Sequence, residues 1–168
     1  TSPVSSCVMN ACVIGAGTMG AGIAAHLANL GFQVTLLDMT RESAEAAFER
    51  SKRIKPPHFY NAESIARIRT GGIDQDLGLV SEADWVCEAI IENLDAKRDL
   101  FSKVAPLLKS DAFISSNTSS LPLALLAEGL PDDIQKRLVG THFFNPPRYL
   151  KLLELIPTEE TDKNEIKR

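Results

Sequence analysis

The chain has 168 residues, 44% apolar and 24% charged, with 18 Lys plus Arg against 22 Asp plus Glu and a formal net charge of −4. That length suits one domain with a sizeable core, the apolar content excludes a disordered chain, and the mild acidity argues against a general nucleic-acid binder. No run of eighteen apolar residues is present, so no membrane-spanning helix is expected, and the opening TSPVSSC has no basic stretch leading into an apolar one, so no secretory leader is expected.

Residues 1–10 read as a short polar lead. Residues 11–14 form an apolar run that stops at Gly15, the pattern of a buried strand. From 18 to 30, Met19, Ile23, Ala24, Leu27 and Leu30 recur at helical spacing, and Gly31 supplies the stop. Residues 33–37 are a second strand that ends at Asp38. Thr40 is an N-cap for a helix from Arg41 to about Ile54, which Pro56-Pro57 ends. The stretch 56–72 is the least regular, with a short helix between 62 and 69. A strand over 85–90, a helical stripe over 94–108, a strand over 112–115, a polar loop over 117–120, a helix over 121–128 and a strand over 137–144 follow. Pro146-Pro147 turns the chain into a last apolar strand, 150–156, expected to be buried and to close the core.

Strands alternating with helices imply an α/β protein with a doubly wound, mostly parallel sheet covered on both faces. The last strand follows too soon for a crossover helix, so it is expected to run antiparallel to its predecessor. The domain is expected to span 1–157, with 158–168 beginning a linker. Cys7, Cys12 and Cys87 make an odd count without a Cys-x-x-Cys pair. Cys12 and Cys87, inside apolar runs, read as small hydrophobes in a reducing, cytoplasmic compartment rather than as disulfides or metal ligands. His26, His58 and His142 show no metal-ligand spacing, and no metal is expected.

Gly15-Ala16-Gly17-Thr18-Met19-Gly20 matches G-x-G-x-x-G in the context that gives the string meaning, after a strand and opening a helix. Gly15 suits the tight turn, Gly17 leaves room for a pyrophosphate, and Gly20 lets the helix pack on the strand. The backbone N–H groups of Thr18, Met19 and Gly20 then face the phosphates. Asp38, 18 residues after Gly20, closes the second strand where a carboxylate can accept hydrogen bonds from ribose hydroxyls. It would repel a 2′-phosphate, so a Rossmann site for NAD is expected over one for NADP, although Arg41 lies close by. The same fingerprint also serves FAD.

A second constellation lies near the end of the chain. His142 ends a strand, and Glu154 is the one acid in the apolar run LKLLELI. In a hairpin centred on residue 148 the two are direct cross-strand neighbours. A carboxylate beside an imidazole stabilises its charged form and fixes its tautomer, which makes a general base with its orienter.

The blocks VIGAGTMGAGIAAHLANLGFQVTLLD, EAIIENLDAKRDLF, SSNTSSL and GTHFFNPPRYLKLLELIP span 13–157. Together they resemble the NAD-binding domain of the L-3-hydroxyacyl-CoA dehydrogenase family. The last block is most like the large bacterial fatty-acid β-oxidation members, which carry extra domains. The resemblance implies NAD-dependent oxidation of an L-3-hydroxyacyl-CoA to the 3-ketoacyl-CoA. It implies His142 as catalytic base and Glu154 as its acidic partner. Ser119 and Asn145 match residues at the substrate and nicotinamide end, and Glu92 and Lys97 match residues on the cofactor side. Without the family, Glu92 and Lys97 read as a solvated helix start.

Two departures from the family stand out. The all-helical domain that follows in its members, building the acyl pocket and the homodimer, does not occur within these 168 residues, so the chain alone is expected to bind cofactor and to turn over little. The segment KRIKPPHFYNAES replaces the Lys-rich excursion of short-chain members, and Lys52, Arg53 and Lys55 either meet CoA phosphates or form a solvated helix end. Two other readings stay open: a β-hydroxyacid dehydrogenase acting on a free acid, and a non-catalytic NAD-binding module.

Overall fold

The computed structural model describes residues 8–150 and 152–164. The chain begins β1 (Asn10–Ile14), α1 (Thr18–Asn29), β2 (Gln33–Asp38) and α2 (Arg41–Ser51), within a few residues of the predicted bounds. β1 is buried from Ala11 to Ile14 because both its faces are covered. Ala11 and Val13 belong to one core with Ile23, Leu27, Val34 and Phe143. Cys12 and Ile14 belong to the other, with Leu100, Phe101, Ile114, Leu126 and Leu138. Gly20, Ala21, Ala24, Ala25 and Ala28 give α1 a buried face of small side chains, so the helix lies close on the sheet. Thr40 and Ser43 form a capping box at the start of α2, which satisfies amides that would otherwise be orphaned.

The irregular stretch holds an element that the sequence did not disclose. After α3 (Ala62–Ala66), β3 (Ile68–Gly72) adds to the sheet parallel to β2, in register from Val34↔Ile68 to Asp38↔Gly72. It is an outer strand with one large apolar residue, Ile68, in IRTGG. No alternation or apolar run marks such a segment.

Then come α4 (Ile73–Asp76), a 3-10 turn at Leu77–Glu82, β4 (Trp85–Glu88), α5 (Leu94–Val104), a second 3-10 turn at Ala105–Leu107 and β5 (Phe113–Ser116). The described chain closes with α6 (Leu123–Ala127), α7 (Asp132–Gln135), β6 (Leu138–Phe143) and β7 (Leu153–Pro157). The sheet order is β3-β2-β1-β4-β5-β6-β7, parallel throughout except for the β6–β7 pair. This is the expected doubly wound fold with an antiparallel last strand.

β7 is not buried, contrary to expectation. All five of its residues are exposed, because the hairpin lays it at the outer edge of the sheet, where no helix of the described residues covers it. Beyond it the chain turns back: the Thr161 hydroxyl donates to the Leu138 carbonyl at 2.8 Å, and the Asp162 N–H donates to that of Lys136 at 3.0 Å. Cys12 and Cys87 are buried free thiols, pushed by desolvation up to about 12 and about 11. Cys7 lies outside the described residues.

Candidate cofactor and catalytic site

The strand order reverses at β1, with β2 on one side and β4 on the other. A crevice therefore opens beyond the carboxyl ends of β1 and β4, where ligands bind in such folds. The glycine turn fills that place. Gly15 has φ +104°, its N–H donates to the Leu37 carbonyl at 2.8 Å, and a Cβ on it would lie 2.5 Å from the Ala89 oxygen. A Cβ on Gly20 would fall 1.7 Å from the Gly15 oxygen, whereas one on Gly17 would meet nothing within 4 Å. Gly15 and Gly20 thus shape the turn, and Gly17 borders open space.

No side chain caps α1, and its first turn holds no acid, so the amides of Thr18, Met19 and Gly20 remain available to an anion. Asp38 ends β2 half-buried, with a long 3.5 Å contact from the Ala16 N–H. An anion cradle, a space without side chains and a carboxylate at the end of β2 fit a dinucleotide.

The loop after β4 carries a charged cluster. Lys97 is not a solvated helix-start residue: its side chain is 1% exposed, and Nζ lies 2.5 Å from Oε1 of Glu88 and 3.5 Å from Oε2 of Glu92. Nζ also donates to the Ile90 carbonyl at 3.3 Å. Glu88, 0% exposed, accepts the Ile90 N–H at 2.7 Å and the Ser116 hydroxyl. Glu92 accepts the hydroxyls of Thr118 and Ser120. Burial acts to raise the Glu92 pKa, but the Thr118 hydroxyl, the Lys97 charge and Ser120 outweigh it and hold the carboxyl below its ordinary range. Sequence reasoning missed Glu88. The available signal was an acid at the end of an apolar strand, WVCE.

His142 and Glu154 are paired across the hairpin, as the centre at residue 148 requires. His142 Nδ1 lies 3.0 Å from Glu154 Oε2, with side chains 26% and 49% exposed. The imidazole also packs at 4.7 Å against the Phe144 ring. Ser119 and Asn145 are exposed on the loops that follow the adjacent strands β5 and β6. The Asn117 side-chain oxygen accepts the Phe143 N–H at 2.9 Å and ties the two loops together.

A family model described as the NAD-binding domain of 3-hydroxyacyl-CoA dehydrogenase matches residues 10–168. The chain belongs to this family. Its sequence is 48% identical over 158 residues to a probable 3-hydroxyacyl-CoA dehydrogenase of Deinococcus radiodurans, covering 90% of this chain and 46% of that protein. It is 46% identical over 156 residues to a putative fatty acid oxidation complex trifunctional enzyme of Rickettsia felis, covering 89% of this chain and 22% of that one. Its fold is similar to that of 3-hydroxybutyryl-CoA dehydrogenase from Escherichia coli K12, with a TM-score of 0.84 and 30% identity over 95% of this chain and 34% of that one. The chain spans less than half the length of these relatives.

The cofactor of this domain is accordingly NAD. Beside the glycine turn the domain has an open cleft of about 580 Å³, lined by Gly17, Thr18, Arg50, Arg53 and His58. Lys52 and Lys55 are exposed, and Lys52 is paired with Glu49 and sits 4.3 Å over the Phe48 ring. Among the described residues no group of three His, Cys, Asp or Glu is arranged to hold a metal ion, and no helix is long and apolar enough to cross a membrane.

Proposed function

We propose that this chain is the cofactor-binding part of an enzyme that oxidises L-3-hydroxyacyl-CoA to 3-ketoacyl-CoA in fatty-acid β-oxidation. The observation that carries the reading is the His142–Glu154 pair at the carboxyl end of β6, the same end of the parallel strands at which the glycine turn follows β1. With Nδ1–H donating to Glu154, Nε2 is left as a free acceptor. His142 Nε2 takes the proton of the substrate 3-hydroxyl, and Glu154 stabilises the imidazolium that results. The bound cofactor would supply the acceptor for the C3 hydride. Gly17, the amides of Thr18, Met19 and Gly20, and Asp38 would hold its pyrophosphate and ribose, with Glu92 and Lys97 on the cofactor side. Ser119 and Asn145 orient the reacting oxygen.

The domain proper spans 1–157, with 158–168 leading to a helical domain beyond Arg168 that completes the acyl pocket and pairs two copies of the enzyme. The length of the relatives supports this, as do the exposed Leu153 and Leu155, which border an apolar cleft with Phe32, Trp85 and Phe113. Buried free Cys12 and Cys87 suit a reducing, cytoplasmic setting.

The test is turnover of the full-length enzyme with 3-hydroxyacyl-CoA against the free 3-hydroxy acid. His142→Gln should lower turnover on the CoA ester by about 10²–10⁴-fold while NADH still binds, as read by its fluorescence. Undiminished turnover in His142→Gln would place the base elsewhere, and preference for the free acid would overturn the substrate class.

A further inference from the structure

The geometry points to Asp76 as the residue that keeps the nucleotide site selective for NAD, by tying up Arg41, which would otherwise be free to meet a 2′-phosphate. The inference rests on the glycine turn and Asp38 as the dinucleotide site.

Arg41 is the first residue of α2, three positions beyond Asp38. An arginine so placed is the usual means of accommodating a 2′-phosphate, and a free guanidinium there would offset the repulsion from Asp38. In this chain Arg41 is engaged. Its Nη2 donates to Asp76 Oδ1 at 2.6 Å and its Nε to Asp76 Oδ2 at 3.2 Å, the two-pronged geometry that suits a guanidinium and a carboxylate.

Asp76 is itself anchored. Its Oδ2 accepts the Gly72 N–H at 2.8 Å, and its side chain is 17% exposed. Gly72 lies opposite Asp38 in the β2–β3 register, so the anchor stands beside the ribose-binding strand end. The Arg41 hydrogen bond, then the Gly72 N–H, hold the Asp76 carboxyl below its ordinary range, so it is ionised at neutral pH. With Arg41 neutralised by Asp76, the Asp38 charge stands unopposed by this arginine.

Binding of NADH and NADPH to the full-length protein, followed by their fluorescence, tests the idea. Asp76→Asn removes the charge and leaves a side-chain oxygen that can still accept the Gly72 N–H; Asp76→Ser is the second variant should the first not fold. Either should raise NADPH affinity relative to NADH by about tenfold, the effect of one charged hydrogen bond. Adding Arg41→Ala to Asp76→Asn should abolish that gain, whereas Arg41→Ala alone should move the ratio less than about twofold, a coupling that the double-mutant cycle isolates. An unchanged ratio in both Asp76 variants overturns the inference. A gain that persists without Arg41 also overturns it, because loss of a negative charge would then suffice. If the unaltered protein binds neither nucleotide, the cofactor reading falls and the inference falls with it. If it binds NADH and the Asp76 variants do not change selectivity, only the inference falls.

Discussion

Two carboxylate–base pairs sit at the carboxyl ends of strands in one sheet, and they differ in their access to water. Glu88 and Lys97 are 0% and 1% exposed, whereas His142 and Glu154 are 26% and 49% exposed. The first pair is ringed by Ser116, the Ile90 backbone and Glu92, so each charge has a fixed partner and no route to solvent. The second makes one short contact and leaves the far ring nitrogen open. Burial makes a pair costly to break and therefore good at shaping a loop. Partial exposure makes a pair cheap to break and able to exchange a proton with a ligand.

Three measurements can break or sharpen that contrast. Glu88→Ala should cost about 3–5 kcal/mol in denaturant unfolding, because the buried Lys97 charge loses its closest partner and keeps only the longer 3.5 Å contact with Glu92. The Glu88→Gln, Lys97→Met double variant should recover much of the loss. A cost below about 1 kcal/mol for Glu88→Ala, the range of a surface pair, would erase the difference between the two sites.

Glu154→Gln is the complementary change. It should alter stability by only about 0–1 kcal/mol, yet lower turnover of the full-length enzyme by roughly tenfold or more, since the imidazolium loses its counter-charge. Equal effects on stability and turnover would make the hairpin pair structural, like the buried one.

The smallest expected effect comes from titratable groups that have burial without a partner. His26 and His58 each enclose an Nδ1 that has no hydrogen-bond partner among the described residues. Desolvation lowers both pKa values, and Arg148 adds to the effect at His58. The unfolded chain takes up protons at the ordinary value of about 6.5, whereas the folded chain does so only at lower pH. Stability should therefore fall as pH drops below about 6.5 toward the folded values. Melting temperatures recorded from pH 7.5 to 5.5 should decline less steeply in a His26→Leu, His58→Leu variant. Parallel pH profiles for variant and parent would show that neither imidazole is held neutral by the fold.

Much of the nucleotide half was legible because its signals are local. β1 reads as a continuous apolar run since both its faces are buried. Gly15 and Gly20 of the turn are required by backbone contacts within a few residues or across one strand. A hairpin centred on residue 148 was enough to put His142 opposite Glu154. β3 escaped notice because an outer strand containing Gly71-Gly72 carries no periodicity. Lys97 looked solvated because a lysine in the first turn of a helix ordinarily is, and Glu88 stands 9 residues away on the other side of a loop.

By itself, then, the sequence determined the βα order, the glycine turn, Asp38 at the end of β2 and the pairing of His142 with Glu154, because each depends on neighbours in the chain or on a two-residue strand period. Only the tertiary structure decided which charges are buried, which arginine is free and which apolar strand is left uncovered. Arg41 and Asp76 are 35 residues apart, and β7 has the composition of a core strand while lying at the edge of the sheet. Burial and charge pairing depend on what the fold brings alongside a residue, and composition records only the environment that a side chain suits.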